Sequence, residues 1–331
     1  MTPPSFHHVT VLRDEVVRAL APKDGGLYVD ATLGGGGHAE AILAACAGAR
    51  VVGLDRDEAA IAAASARLGH FGERFAAVRA RFGDAGAIVP EIAAQAGKPG
   101  VDGLVADLGV SSPQLDDPAR GMSLRREASD APLDMRMDRS QGRTARELVA
   151  DLDEAALADL IFELGEERRS RKIARSIKRA EADGQLATTG DLRHAIYRAV
   201  GGEKEHGIDP ATRTFQALRI AVNDELGELD RLLASLASLL AGDGVAAIIS
   251  FHSLEDGRVK RAFADASVWQ LAAKKPIVAT DAETADNPRA RSAKLRVARR
   301  RREGEALDPD ADKRAKYEAR KARRFGHGGE A

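Results

Sequence analysis

The stretch Tyr28-Val29-Asp30-Ala31-Thr32-Leu33-Gly34-Gly35-Gly36-Gly37-His38 runs an apolar strand into four glycines and then into an alanine-rich helix. Glycine has no Cβ, so it takes positive φ freely and lets main-chain N–H groups come close to a ligand. A helix starting near His38 turns its positive end toward the same place. The next apolar run, Arg50-Val51-Val52-Gly53-Leu54, ends in Asp55. A carboxylate at the tip of a second parallel strand suits the paired hydroxyls of a ribose. Together the two stretches read as an adenosine site.

Outward from this point, strand-like runs end at Asp30, Asp55, Phe82 and Asp107, with helical stretches such as Ala39 to Ala47 and Glu58 to Leu68 between them. That alternation predicts α/β architecture with a Rossmann-like, doubly wound parallel sheet. From Leu115 to about Thr212 the alternation stops, and a polar loop gives way to amphipathic helices. Thr144-Ala145-Arg146-Glu147 and Thr188-Thr189-Gly190-Asp191 have the form of capping boxes that begin two of them. One long helix is expected over about Thr214 to Leu240, followed by a fifth strand, Gly244 to Ser250. The helical block, 116–212, is therefore expected as an insertion into a discontinuous α/β domain of 1–115 plus 213–331. Extended segments near Trp269 to Ala279 and Ala293 to Ala298 are expected to close the sheet as an antiparallel hairpin, with a tail from about 303.

With 331 residues, 44% of them hydrophobic, the chain can bury a full core and is long enough for two domains. It has no apolar run of the roughly 18 to 20 residues that a membrane span needs, and no basic-then-apolar leader, so a cytoplasmic location is expected. The single cysteine, Cys46, has no partner for an internal disulfide and no companions at metal-ligand spacing. It reads as a buried helical thiol, and no metal site is expected. The formal net charge of −1 hides a basic stretch, residues 289–324, with 15 Lys/Arg against 6 Asp/Glu. That surplus suits a polyanion, and equally a solvated terminus.

Gly34-x-Gly36-x-x-Ala39 satisfies the dinucleotide fingerprint, so an NAD enzyme is one reading. Three features favour S-adenosyl-L-methionine instead. Asp30 at the end of the first strand suits a ligand with a cationic amino group and would repel a pyrophosphate. Phe82 and Asp84 supply an aromatic and an acid for an adenine. The fourth strand ends in the polar turn Asp107-Leu108-Gly109-Val110-Ser111-Ser112-Pro113-Gln114, at the carboxyl edge where open α/β sheets bind ligands.

At this point the sequence resembles the bacterial small-subunit ribosomal RNA cytosine-N4 methyltransferases. The resemblance rests on long, ordered blocks over nearly the whole chain: His8 to Leu12, Asp30 to His38, Asp107 to Asp116, Pro132 to Asp138, Gly165-Glu166-Glu167, Pro210 to Ile220, Ser250 to Asp256, and Asn287 to Arg296. It implies a class I methyltransferase fold with an inserted all-helical domain for substrate recognition. S-adenosyl-L-methionine would be the donor, and a cytidine in the decoding region of 16S ribosomal RNA the acceptor, in the small subunit or a late precursor. A homodimer is a further partner expectation. The family's cofactor contacts carry over onto Gly36, Gly37, His38, Asp55, Phe82, Asp107 and Gln114. The chain departs from the family at Asp209-Pro210, where His-Pro is usual, and at Leu164, where tyrosine is usual before Gly-Glu-Glu.

Methylating ring carbon C5 of cytosine needs a cysteine nucleophile, and Cys46 lies away from the strand ends. Methylating the exocyclic amine needs the amine held in line with the donor methyl and its hydrogens accepted. Asp107 and Ser111 are the catalytic candidates, with cofactor binding the competing role for Asp107. His252, after the fifth strand, suits either the border of the acceptor base or the cap of the next helix. RNA contacts are expected from Arg168 to Arg179, where Ile173 and Ile177 form an apolar stripe, from Arg213 and Arg219, and from the run Arg289 to Arg302 with Arg291, Lys294 and Arg296. Aromatics are scarce at 4%, so phosphate and shape contacts should dominate, and the target base must leave its stack. A ribosome-assembly binding module that keeps the pocket as a structural element is the reading from another class.

Overall fold

Eight strands form one sheet in the order β3-β2-β1-β4-β5-β8-β6, with β7 pairing to β8. The structure, a computed structural model, describes residues 10–202 and 209–306. His7, His8 and the tail beyond 306 lie outside the described residues. The parallel half alternates as expected: α1 (Arg13–Leu20), β1 (Leu27–Asp30), α2 (Gly37–Ala45), β2 (Arg50–Asp55), α3 (Glu58–Leu68), β3 (Phe75–Arg79), α4 (Ala85–Gln95) and β4 (Val101–Asp107). Side chains of successive strand residues point to opposite faces. Val29, Leu104 and Ile248 accordingly enter the core under α4 and α11, while Tyr28, Val105 and Ile249 enter the core under α1 to α3. Both faces are buried, which is why these strands read as continuous apolar runs.

β1 pairs with β2 on one side and β4 on the other, so the winding reverses between β1 and β4. The cleft at their carboxyl ends is where such sheets take ligands.

After α5 (Ser112–Asp116), helices α6 (Ala145–Asp151), α7 (Glu154–Gly165), α8 (Ser170–Ala182) and α9 (Thr189–Val200) gather around a separate core that includes Leu157, Ile161, Ile173, Ile177 and Ile196. Both capping boxes are present, at Thr144 with Glu147 and at Thr188 with Asp191.

The long helix expected from Thr214 to Leu240 is two helices, α10 (Thr212–Asn223) and α11 (Glu225–Leu239). The break is Asp224, left-handed at φ 51°, a conformation that aspartate tolerates better than most residues. Asn223 fixes the corner: its amide donates to the carbonyls of Met135 and Arg219 and accepts from the Met137 N–H. α10 itself sends Phe215 and Leu218 into the helical core.

β5 (Leu240–Ser250) pairs parallel with β4 and antiparallel with β8 (Lys294–Arg300). β6 (Trp269–Leu271) and the short β7 (Ile277–Val278) pair antiparallel with β8. The expected hairpin is thus present with an extra strand, and β8 lies inside the sheet between β5 and β6. α12 (Ser253–Ala262) and α13 (Asp281–Asp286) connect these strands. Trp269 is buried on β6 against Phe263, ring centres 5.2 Å apart.

Candidate active site

The glycine loop between β1 and α2 is built to leave room. Gly34 and Gly36 take positive φ, 48° and 79°. Gly35 faces open space, whereas a Cβ on Gly37 would lie 1.9 Å from Thr10 Oγ1. The loop lines a cavity of about 320 Å³ with Gly34, Gly35, Gly37 and His38. Gly36 departs from its expected place. Its N–H is spent on the Leu33 carbonyl at 2.7 Å, its α-carbon packs toward Ala64 and Leu68, and it is absent from the cavity wall.

Asp55, Phe82, Asp107, Ser111 and Gln114 line the same cavity. Asp55 accepts from the N–H groups of Gly34 (2.8 Å) and Asp57 (2.9 Å), so one carboxylate ties β2 to the glycine loop. Burial pushes its pKa up, and those two N–H bonds oppose the rise. β3 ends before Phe82, which instead opens a 3-10 turn, Phe82–Asp84. Asp84, expected beside an adenine, is exposed and outside the wall. Gln114 accepts from the Ser111 N–H and donates to Asp57 at 3.1 Å. Asp57 also receives Arg120 at 2.7 Å. These partners were not legible beforehand: only the position of Asp57 ahead of a helix, as an N-cap, was a signal.

Beneath the cavity Asp30, His38 and Asp107 come together from β1, α2 and β4. His38 is 4% exposed and its Nε2 lies 3.5 Å from Asp107 Oδ2. Asp30 is fully buried, and desolvation raises its pKa to about 6, against the pull of His38 and the Thr32 N–H. For His38, burial works against the charged form, but Asp107 and Asp30 outweigh it and raise the pKa. Asp30 is absent from the cavity wall, and its charge is felt by His38.

A second cavity, about 800 Å³, opens beside the first and shares Leu115, Arg219 and Arg289 with it. Its walls carry Met122, Met135, Tyr197 and Phe215 with Arg125 and Arg193. Asp209, at the departure from the family pattern, accepts from the Tyr197 hydroxyl at 2.6 Å and from the Ala211 N–H, anchoring this wall.

A model of the MraW methylase family matches residues 5–301. The chain belongs to the MraW methylase family. Among relatives of this family member, "Ribosomal RNA small subunit methyltransferase H" of Sorangium cellulosum (strain So ce56) is 56% identical over 305 residues, 92% of this chain and 94% of that one. The protein of the same name from Geobacter sp. (strain M21) is 48% identical over 312 residues, 88% and 98% of the two chains. An rRNA methylase structure from Streptococcus thermophilus superposes with a TM-score of 0.39 at 11% identity, covering 88% and 94% of the chains. The doubly wound sheet of this MraW-family chain is a Rossmann-like methyltransferase fold.

Its basic residues are placed unevenly. Arg219 is not a free surface cation: it lies half-buried between the cavities in a bidentate pair with Glu225, at 2.8 and 3.0 Å. Arg296 is likewise engaged, on Asp256. Arg213 is exposed beside Glu166 and Glu167 and lines neither cavity. Arg291 is exposed, and Lys294 is half-exposed near Asp256. In α8 the isoleucine stripe faces the helical core, and Arg171 and Arg175 pair with Asp159 and Glu154. His252 stands at the N-cap of α12, where Glu255 accepts the N–H groups of Phe251 and His252. Cys46 is not a buried helical thiol: α2 ends at Ala45, and the half-buried Sγ contacts Asp24 at 3.2 Å. Among the described residues no helix is long and apolar enough to cross a membrane, and no His/Cys/Asp/Glu group of three forms a metal site.

Proposed function

We propose that the chain transfers a methyl group from S-adenosyl-L-methionine to N4 of a cytidine in the decoding region of 16S ribosomal RNA, with residues 116–212 as the substrate-recognition insertion. The observation that carries this reading is the pair of contiguous cavities: one at the reversal of the sheet, walled by glycine loop and strand-end acids, the other between that site and the helical core. The methyltransferase names of relatives that share about half of the sequence support it.

The residues present suit the donor. Gly35 leaves open space for a close approach, and buried oxygens of Asp30 and Asp107 have no hydrogen-bond partner among the described residues. Gly37, His38, Asp55, Phe82, Asp107 and Gln114 would hold it: Asp55 takes ribose hydroxyls, Phe82 stacks on the adenine, and Asp107 faces the amino-acid end. When bound, the donor supplies an electrophilic methyl on a sulfonium, whose S–C bonding pair returns to sulfur.

The second cavity takes the unstacked cytidine between Tyr197, Phe215 and the methionines, with Arg289 at the junction of the two spaces. Asp107 and Ser111 stand where the amine would be oriented and its hydrogens accepted, which is how positioning lowers the barrier for a weakly nucleophilic nitrogen. Cys46 lines neither cavity, which favours amine over ring-carbon chemistry. The test is transfer of labelled methyl to small subunits from cells that lack this protein, followed by nucleoside mass spectrometry. N4-methylated cytidine is expected; label on C5, on another base, or on no nucleotide overturns the reading.

A further inference from the structure

The carboxylates that line the first cavity are Asp55, Asp107, Glu225 and Glu255. Three of them already hold partners. Asp55 holds two backbone N–H groups, Glu225 holds Arg219, and Glu255 holds two N–H groups with His252 Nε2 3.1 Å away. Asp107 differs. Its Oδ1 is buried with no partner, its Oδ2 has only the 3.5 Å approach of His38 Nε2, and the side chain keeps 20% exposure. Of the seven buried side-chain polar atoms without a hydrogen-bond partner among the described residues, four belong to Asp30, His38 and Asp107. Unsatisfied buried polar groups are costly, and a cluster of them at a cavity marks a place kept for chemistry.

We infer that Asp107 receives the proton released by the acceptor amine, and that His38 is the positioning residue that aims its carboxylate. This rests on the function proposed above. As the amine nitrogen gains the methyl carbon it becomes cationic; one N–H bond then breaks, its electron pair stays on nitrogen, and the proton passes to the Asp107 carboxylate. A methylated, cationic amine is a strong acid, so the acceptor needs only to be ionised and close, not strongly basic. His38 Nε2, 3.5 Å from Asp107 Oδ2, aims that carboxylate, and Asp107 and Asp30 both favour the charged form of His38. The charges facing this group are Asp107 at the end of β4, Asp30 at the end of β1 and, acting on Asp30, Asp55 at the end of β2.

The test uses the full chain and two readouts. In the donor-free protein, the His38 imidazole is titrated by NMR; Asp30→Asn and Asp107→Asn should each move its midpoint to lower pH. With saturating donor and unmethylated small subunits, kcat is followed against pH. His38→Asn removes the group that aims Asp107, so kcat at saturating donor should fall about 10- to 100-fold at every pH. Asp30→Asn, which keeps the shape of the site, should move the alkaline limb to lower pH. An unmoved alkaline limb in Asp30→Asn, or a His38→Asn kcat that saturating donor restores, would show that His38 only holds the donor, and would overturn the inference. If the wild-type chain methylates no small subunit, the proposed function falls, and the imidazole titration still decides whether the three groups act as one.

Discussion

Gly37 has room for a hydrogen and nothing larger, because Thr10 closes over its α-carbon. Gly37→Ala should therefore cost about 1–3 kcal/mol in chemical denaturation, as overpacking does, and adding Thr10→Ala should return most of it. Equal losses in single and double variants would show that the clash is not the cause. Asp55 accepts two backbone N–H groups as well as facing the cavity, so Asp55→Ala should weaken donor binding about 100-fold or more, read by calorimetry. Asp30 has a pH signature of its own. Its folded-state pKa, about 6, stands above the 3.8 of an ordinary aspartate, so between those values the native state holds a proton that the unfolded chain releases. Its contribution is fully present at low pH and is lost as pH rises through about 6. Asp30→Asn should accordingly be more stable than wild type at pH 8, by up to about 3 kcal/mol, with the advantage shrinking toward pH 4.

Between elements, the corner at Asn223 and Asp224 joins the loop Pro132 to Asp138 to the α10–α11 pair. Asn223→Ala leaves the Met137 N–H and the Met135 carbonyl buried without partners, and should cost about 2–4 kcal/mol in denaturant. A loss below about 1 kcal/mol would mean that water replaces the amide. This corner also shows where the sequence stops being legible. Apolar spacing runs on through residue 224, so periodicity alone predicts one helix; the break comes from one left-handed residue and a side chain that bonds to a loop far away in the chain. Strands β1, β2 and β4 were legible because burial on both faces makes them apolar throughout, whereas the half-exposed edge strand β3 ends short of the expected Phe82. β8 was legible as extended, but its place inside the sheet depends on pairing with β5, which no local pattern encodes. At the site, the glycine loop and strand-end acids announce themselves by residue type. The links from Asp57 to Gln114 and Arg120, and the place of Arg219 between the two cavities, exist only once distant segments meet.

At the scale of the molecule, the sheet and the helical core meet at the paired cavities, and Arg213, Arg291 and Lys294 lie outside the helical core. Replacing Arg213, Arg291 and Lys294 together with glutamine should lower RNA affinity at every sequence tested. It should also flatten the dependence of log K on log salt by about 0.7 per lost contact with single-stranded phosphate. An unchanged slope would place the phosphates elsewhere. The two cores also differ in what they emit. The only tryptophan of the chain sits on β6 against Phe263, within the sheet core, while the helical core holds Tyr197 and Phe215 and no indole. Intrinsic indole fluorescence is thus a reporter of the sheet alone, and far-ultraviolet ellipticity is weighted toward the helices. Melting followed by both signals reads two cores in one sample: superimposable curves mean that they unfold together, and separated curves resolve their individual stabilities without cutting the chain.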